Sequence, residues 1–287
     1  MSDANSFPGL PQVFNFIKNI FSHALRSSDN VPQHVGLIMD GNRRWAKRKH
    51  VEIKEGHNAG FHSMGRALEL CYEAGVKTAT VFAFSIENYK RSAAEVDSLM
   101  NLARSGIKQV VQNGDMAEKF GIRIKIIGDR RLLSDDVMRE VETAEEITKN
   151  NKRAVLNICF PYTGRDELLH SIKTNVNRAL AEEIEGSEID EDQIDEYLYT
   201  AGSPPLDLLI RTSGVTRLSD FLLWQVSRRG VAIEFVDCLW PDFGSRQMAW
   251  ILLKYAYNRS SRAHAHDLDF EEETDGGVTT NRDKKKN

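Results

Sequence analysis

Short apolar, β-branched runs alternate with longer stretches of helical periodicity along most of this 287-residue chain. HVGLIM (34–39), TATVFAFS (78–85), GIRIKIIG (121–128), AVLNICF (154–160), LDLLIR (206–211) and VAIEFVD (231–237) each predict a strand. Between the first two, GFHSMGRALELCYEAG predicts a helix closed by Gly75, and further helices are predicted over 93–119, 134–150 and 165–182. Several of the strands are apolar almost throughout, which suits a parallel sheet covered on both faces. The alternation therefore predicts a single α/β domain over residues 31–258, with a central parallel sheet of about six strands flanked by helices. The acidic stretch EEIEGSEIDEDQIDEYL reads as a solvated connection into another helix. Residues 259–287 lose apolar periodicity and read as a polar tail.

The first 30 residues form a separate region. Val13, Phe14, Ile17, Ile20, Phe21, Ala24 and Leu25 recur at helical spacing, with Lys18, His23 and Arg26 on the flanks. Two readings compete: a helix docked on its own domain, and a helix lying on a membrane surface.

Composition narrows the field. Hydrophobic residues make up 41% of the chain and charged ones 28%, enough for a sizeable core in a water-soluble domain. The formal net charge of −4 argues against a global affinity for nucleic acid, so any anion must be held by local clusters. Cys71, Cys159 and Cys238 are scattered and odd in number, as expected of buried thiols rather than of a disulfide framework or zinc site.

In an open parallel sheet, ligands bind beyond the carboxyl ends of the strands. The first predicted strand delivers DGNRRW (40–45), the second SIENYKR (85–91) and the fifth RTSGVTRLSDF (211–221). GDRR (128–131) and PYTGRDE (161–167) follow the third and fourth and rank lower. There is no GxxxxGK[ST] loop and no GxGxxG after a strand. The rim instead offers Arg43, Arg44, Arg91, Arg211 and Arg217, whose planar forks suit phosphate oxygens. They are too many for one phosphate and would suit two diphosphates held close together. Diphosphate leaves readily only when its charge is neutralised, which Mg2+ and arginines achieve, and Asp40 is the carboxylate placed to hold such a metal.

Each element also has a plainer reading. Asp40 taken alone reads as a helix N-cap, Arg43 and Arg44 as a solvated face, Ser85 and Asn88 as caps of a following helix, and RTSG as a turn. His57 could be an ordinary helix-terminal histidine, and Trp224 and Trp240 core aromatics. Their common location on one rim favours a site.

HVGLIMDGNRRWAKRK, EGHNAG, FAFSIENYKR, LNICFPYTGRDEL, DLLIRTSGVTRLSDFLLWQ and LWPDF together resemble, in order and spacing, the signature series of cis-prenyltransferases of the undecaprenyl diphosphate synthase family. The branch most resembled is that of the eukaryotic dehydrodolichyl diphosphate synthase catalytic subunits of the fungal kind. The resemblance implies Mg2+-dependent elongation of farnesyl diphosphate with isopentenyl diphosphate, with the active site at the C-terminal ends of the strands. It implies that Asp40 holds the metal and that Ser85 and Asn88 stand by the reacting carbons. Gly41, Asn42, Arg43, Arg44, Trp45 and His57 would contact the allylic substrate, and Arg91, Arg211, Arg217 and Ser219 isopentenyl diphosphate, with Glu87 and Tyr89 also in the substrate site. The growing chain would enter a tunnel lined from 95–111 and the second strand.

Three departures from the bacterial pattern stand out. Ile53 occupies the place of a bacterial arginine, with Lys54 beside it. A bacterial metal-binding glutamate has its nearest counterpart in Glu234, out of register. No Arg-x-Gly follows LWPDF, and the acidic run Glu271–Glu273 would repel a diphosphate. The resemblance therefore implies a Nogo-B-receptor-type accessory subunit that supplies the Arg-x-Gly tripeptide, and peripheral work at the cytoplasmic face of the endoplasmic reticulum membrane or on lipid droplets. The competing expectations are a non-catalytic scaffold subunit and a phosphohydrolase of small diphosphates.

Overall fold

This computed structural model describes residue 20 and residues 22–28, 30–112 and 115–275, with 109–112, 115–116 and 262–275 described as backbone. Strand β1 (His34–Ile38) is buried along its whole length and leads into helices α1 (Asn42–Lys49) and α2 (Ile53–Ala74). Next come β2 (Thr78–Phe82), a 3-10 turn over Ile86–Lys90, α3 (Ala93–Gln112) and α4 (Asp115–Phe120). The predicted helix 93–119 is thus two helices, and the turn-forming pair Asn113-Gly114 lies between them in the sequence. Then follow β3 (Ile122–Ile127), α5 (Asp135–Thr148), β4 (Ala154–Cys159), α6 (Gly164–Leu180) and α7 (Glu191–Glu196). The chain continues through β5 (Leu208–Thr212), α8 (Leu223–Val226), β6 (Ala232–Val236) and α9 (Ser245–Asp275).

All six strands pair in parallel, in the order β3-β4-β2-β1-β5-β6. The chain lays β2 on one side of β1 and later returns to place β5 on the other. The order reverses at β1, and the crevice beyond its carboxyl end is where such sheets bind ligands. A large apolar cluster built on Leu37, Leu68, Val81, Ile124, Val141 and Leu252 fills one side of the sheet. A smaller one, with Ile38, Leu209, Tyr162 and Phe221, fills the other. Cys71 and Cys159 are buried as expected, whereas Cys238 is only half-buried.

Edge strand β3 is sealed by side chains. The Ile124 amide donates to Thr148 Oγ1 at 3.0 Å and the Ile126 amide to Glu145 Oε1 at 2.9 Å. The Ile122 carbonyl accepts from Asn151 at 2.8 Å and the Ile126 carbonyl from Arg130 at 2.7 Å. Natural sheets blunt their edges in this way against pairing with another chain.

The two ends of the chain fare differently: the described residues at the first follow the docked-helix reading, and the second departs from expectation. Residues 22–27 are helical and dock on the domain: Leu25 enters the core, and Arg26 donates to the Glu73 carbonyl at the end of α2. Val13, Phe14, Ile17 and Phe21 of the expected apolar stripe lie outside the described residues. At the other end, helical backbone in α9 runs to Asp275, past position 258 where a polar tail was expected. That stretch contains no Gly or Pro before Gly276, and loss of apolar periodicity does not by itself break a helix.

Candidate active site

The rim is organised around the exit of β1. Trp240 N–H and Thr212 Oγ1 both donate to the Asp40 carbonyl, at 3.0 and 2.8 Å, so the residue is fixed from β5 and from the turn after β6. The helix N-cap is Gly41, not Asp40. Gly41 has φ 116°, and a side chain there would meet the Leu239 Cα at 3.1 Å. No side chain caps α1, so its first-turn amides remain available to an anion.

This leaves the Asp40 carboxylate to the guanidiniums. Arg211 Nη2 lies 2.8 Å from Oδ2 and Arg44 Nη2 3.3 Å from Oδ1. Burial acts to raise the Asp40 carboxyl. The hydrogen bond from Arg211 and the charges of Arg211 and Arg44 outweigh it and hold the group below its ordinary range. A second carboxylate does the same for another pair: Glu95 Oε1 receives Arg91 at 2.8 Å and Arg43 at 3.1 Å. Four arginines thus share two carboxylates, and Arg217 adds an exposed guanidinium with no acidic partner among the described residues. The rim has an excess of positive charge. His57, beside this cluster, is half-buried. Burial, then the Arg43 and Arg91 charges, push its pKa down, so it stands neutral at physiological pH.

The EGHNAG segment has a packing reason for its glycines. A Cβ on Gly56 would lie 2.4 Å from the Asn42 carbonyl oxygen, so the α1 and α2 backbones can approach this closely only with glycine there, and a Cβ on Gly60 would lie 2.3 Å from Asn42 Oδ1. That Asn42 side-chain oxygen is buried with no partner among the described residues.

After β2, Ser85 and Asn88 form a capping box. Ser85 Oγ accepts from Glu87 N–H and Asn88 Oδ1 from Ser85 N–H, at 3.2 and 3.1 Å. The plainer reading of these two residues is therefore met, yet both also line the cleft. Glu87 lines it too, paired with Lys90. Trp45 and Tyr89, expected among the substrate contacts, do not line it. Trp45 Nε1 donates to Asp242 at 2.8 Å, and the Tyr89 hydroxyl to the Leu132 carbonyl at 2.7 Å. Both act as fasteners of the frame.

The segment after β5 carries Arg217 and Ser219. Arg211 Nη1 donates to Ser219 Oγ at 2.7 Å and to the Arg217 carbonyl. The cavity bounded by these segments measures 1340 Å3. Gly41, Asn42, Arg43, Arg44, Arg91, Arg211, Arg217 and Ser219 line its polar end with Asp40 and His57. Its inner end is apolar, formed by Phe61, Met64 and Val81 with Leu99, Ala103 and Ile107 of α3. This is the position expected for the tunnel.

Glu95, which pairs two lining arginines without lining the cleft itself, and the lining residues Arg165 and Asp220 escaped the sequence reading. Glu95 could have been found, since it stands four residues after Arg91 in a helix. Arg165 and Asp220 could not, because their mutual contact, Nε to Oδ2 at 2.6 Å, joins segments that are adjacent only in space. Ile53 faces the cleft but Lys54 does not; the nearby cation lining it is Lys47 of α1. Glu234 is turned to α9, where it pairs with Lys254 at 2.9 Å, and is not part of the cleft. Trp240 is both core and cleft wall, whereas Trp224 bonds Asp195 away from it.

Among the described residues, no three His, Cys, Asp or Glu side chains come together as a metal cage. Asp40 is one ionised carboxylate on a rim suited to phosphate. That donor set fits Mg2+, which usually takes one or two carboxylates and completes its shell with phosphate oxygens and water.

A sheet whose switch-point crevice is cationic outside and apolar inside defines a protein for amphiphilic anions. Comparison with known proteins gives the class a family. The Prenyltransf family model, described as an undecaprenyl diphosphate synthase, matches residues 38–263. A dehydrodolichyl diphosphate synthase complex subunit of Schizosaccharomyces pombe is 47% identical over 225 residues, 78% of this chain and 85% of that protein. The subunit DHDDS of Homo sapiens is 40% identical over 245 residues, 84% of this chain and 72% of that one. The crystal structure of lavandulyl diphosphate synthase from Lavandula x intermedia, in complex with dimethylallyl diphosphate, superposes with a TM-score of 0.75 at 29% identity. It covers 79% of this chain and 96% of that one. The chain belongs to the undecaprenyl-diphosphate-synthase-like family of cis-prenyltransferases.

Proposed function

We propose that this chain is the catalytic subunit of a cis-prenyltransferase that elongates farnesyl diphosphate with isopentenyl diphosphate. Its product is a long-chain polyprenyl diphosphate, the dehydrodolichyl precursor of dolichol for protein glycosylation. The observation that carries the reading is the two-ended cavity, with arginines at the mouth and an apolar interior between β2, α2 and α3. An allylic diphosphate has the same two ends.

In each cycle a bond forms between C1 of the allylic chain and C4 of isopentenyl diphosphate. The allylic diphosphate departs with the bonding electrons, and the isopentenyl unit loses a proton. The α1 amides with Asn42, Arg43 and Arg44 hold the departing diphosphate, and Lys47 supplements them where Ile53 has replaced an arginine. Arg91, Arg211, Arg217 and Ser219 hold the second diphosphate. Asn88, fixed by its bond from the Ser85 amide, orients the isopentenyl unit where the proton is lost. The apolar interior excludes water, so the allylic carbon meets the isopentenyl double bond rather than hydroxide. Mg2+, when bound, would be held by Asp40 and would neutralise the leaving diphosphate.

The complete enzyme in this reading is a heteromer with a Nogo-B-receptor-type subunit. The S. pombe and human relatives are named as complex subunits. The β6 edge is also flanked by apolar surface: Ile233 and Phe235 are partly exposed on one face, and Trp250 and Tyr257 of α9 are 68% and 74% exposed on the other. The enzyme would work as a peripheral protein at the cytoplasmic face of the endoplasmic reticulum or on lipid droplets, where a long apolar product can leave water. Among the described residues no helix is long and apolar enough to cross a membrane.

Labelled isopentenyl diphosphate and farnesyl diphosphate, given to this chain alone and to its co-purified complex, test the proposal. Label should pass into butanol-soluble long-chain lipid, orders of magnitude faster with the complex. Release of phosphate without lipid would indicate a hydrolase, and a complex whose activity survives loss of this chain's Asp40 would indicate a scaffold.

A further inference from the structure

The loop that presents Arg217 and Ser219 has an unusual backbone. Ser213, Ser219, Asp220 and Leu222 all have positive φ, between 47° and 85°, and none is glycine. Such conformations cost on the order of 1–3 kcal/mol each and persist only where the surroundings over-determine them. Immediately after Leu222 the chain enters α8, a single turn that could not hold the loop by itself.

Behind α8 lies Glu167. Its side chain is wholly buried, yet among the described residues no cation faces it. Four donors occupy its two oxygens. The Thr200 amide and hydroxyl reach Oε1 at 3.0 and 3.1 Å. The Tyr162 hydroxyl and Gln225 Nε2 reach Oε2 at 2.5 and 3.0 Å. Gln225 also donates to Thr200 Oγ1 at 2.8 Å. Four stretches of chain therefore meet on one carboxylate: the β4–α6 turn, α6 itself, the segment after α7, and α8. A buried carboxylate is expensive, and a hydrophobic residue of similar size would fill the space at lower cost. What the carboxylate adds is direction, because an acceptor-only group holding four donors fixes where each must lie.

From Gln225 the constraint runs forward. The loop is pinned to the same α6 terminus by Gly164 N–H to the Asp220 carbonyl at 2.7 Å, and by Arg165 Nε to Asp220 Oδ2 at 2.6 Å. Phe221 stacks on Phe82 with ring centroids 4.7 Å apart and meets the Tyr162 ring edge-on at 5.9 Å. Ser219, next in line, accepts from Arg211, which itself holds Asp40.

We infer that Glu167 is a positioning residue: by anchoring Tyr162, Thr200 and Gln225 it holds the strained loop 213–222 in the geometry that presents Arg217 and Ser219 to the second diphosphate. It touches no substrate. The inference rests on the functional reading above only in assigning that diphosphate to isopentenyl diphosphate.

Two variants test it in the assembled complex: Glu167→Gln, which turns an amide donor toward existing donors, and Gln225→Met, which removes the bonds from Gln225 to Glu167 and to Thr200 at constant bulk. Backbone hydrogen exchange reads the loop directly. Peptides covering 213–222 should exchange about tenfold faster or more in both variants, while β1 and β2 peptides keep wild-type rates. In parallel, the KM for isopentenyl diphosphate should rise about tenfold with the KM for farnesyl diphosphate within about twofold of wild type. A purely structural defect would lower the active fraction and leave both KM values alone. Unchanged loop exchange in folded Gln225→Met, or equal changes in both KM values, overturns the inference. If the wild-type complex makes no lipid product, the functional reading fails, while the exchange result still decides the anchoring role. If Glu167→Gln does not fold, Gln225→Met gives the answer alone.

Discussion

Asp40 is held between Arg211 and Arg44 on its side chain and between Thr212 and Trp240 on its carbonyl. Its position is thus set by groups that remain if the carboxylate is removed, so Asp40→Ala should fold and fail in turnover. We expect kcat to fall by at least ~10²-fold, because the carboxylate acts when charge develops on the departing diphosphate. A single-turnover assay at saturating Mg2+ checks this, and near-normal turnover would remove Asp40 from its role. His34 shows the opposite use of a titratable group. Its Nδ1 donates to the Pro204 carbonyl at 2.8 Å, so Nε2 accepts from Thr80 Oγ1 at 2.7 Å, and burial pushes its pKa down to about 4. The folded state therefore prefers neutral histidine, and stability is lost as pH falls from the unfolded value of 6.5 through the folded one. The loss should reach about 2 kcal/mol by pH 5 and about 3 kcal/mol by pH 4. Urea denaturation of wild type and His34→Gln across this range should show a shallower slope in the variant; parallel slopes would contradict it.

At the scale of elements, much was written in the hydrophobic pattern. All six strands lie where apolar runs predicted them. Strands β1, β2, β4 and β5 are buried almost throughout because both faces are covered, whereas the edge strands β3 and β6 alternate between covered and exposed positions. The rim segments followed from topology, since the polar clusters at 40–45, 85–91 and 211–221 each close a strand. What the pattern withheld are pairings between distant elements. Nothing in PYTGRDE says that Arg165 will meet Asp220 or that Glu167 will gather four donors, because those contacts exist only once α6 and α8 are side by side. That the Trp45 ring bonds Asp242 and the Tyr89 hydroxyl the Leu132 carbonyl was hidden for the related reason that a motif gives adjacency in sequence, not the direction of a side chain. Helix α3 yields its own prediction. A Cβ on Gly106 would come within 3.2 Å of Phe61 at the apolar cavity wall. Gly106→Leu should therefore fill the inner cavity, shortening the lipid product while the first condensation keeps a rate within about threefold of wild type; helix propensity itself would favour the change. Thin-layer separation of products resolves this, and an unchanged chain-length distribution would show that the product takes another path.

Considered whole, the molecule divides its surface into a working mouth, a sealed flank and an apolar flank. The exposed Trp250 and Tyr257 belong to a helix whose other face, with Met248, Ile251 and Leu252, is deep in the core. Two exposed aromatic side chains two helical turns apart, with Leu253 also exposed between them, suit a protein interface. Trp250→Glu should consequently leave the fold intact and abolish co-purification with the accessory subunit, with lipid synthesis falling in proportion. Retention of the complex at wild-type yield would place the interface elsewhere.

The side-chain plugs along β3 bear on how many chains such an assembly can hold. A sheet with two bare margins can add neighbours at either end without limit, whereas Thr148, Glu145, Asn151 and Arg130 occupy the hydrogen-bonding positions of one margin. The molecule is then valence-one toward partners that join through its sheet, and a pair formed at β6 has no second site from which a fibre could propagate.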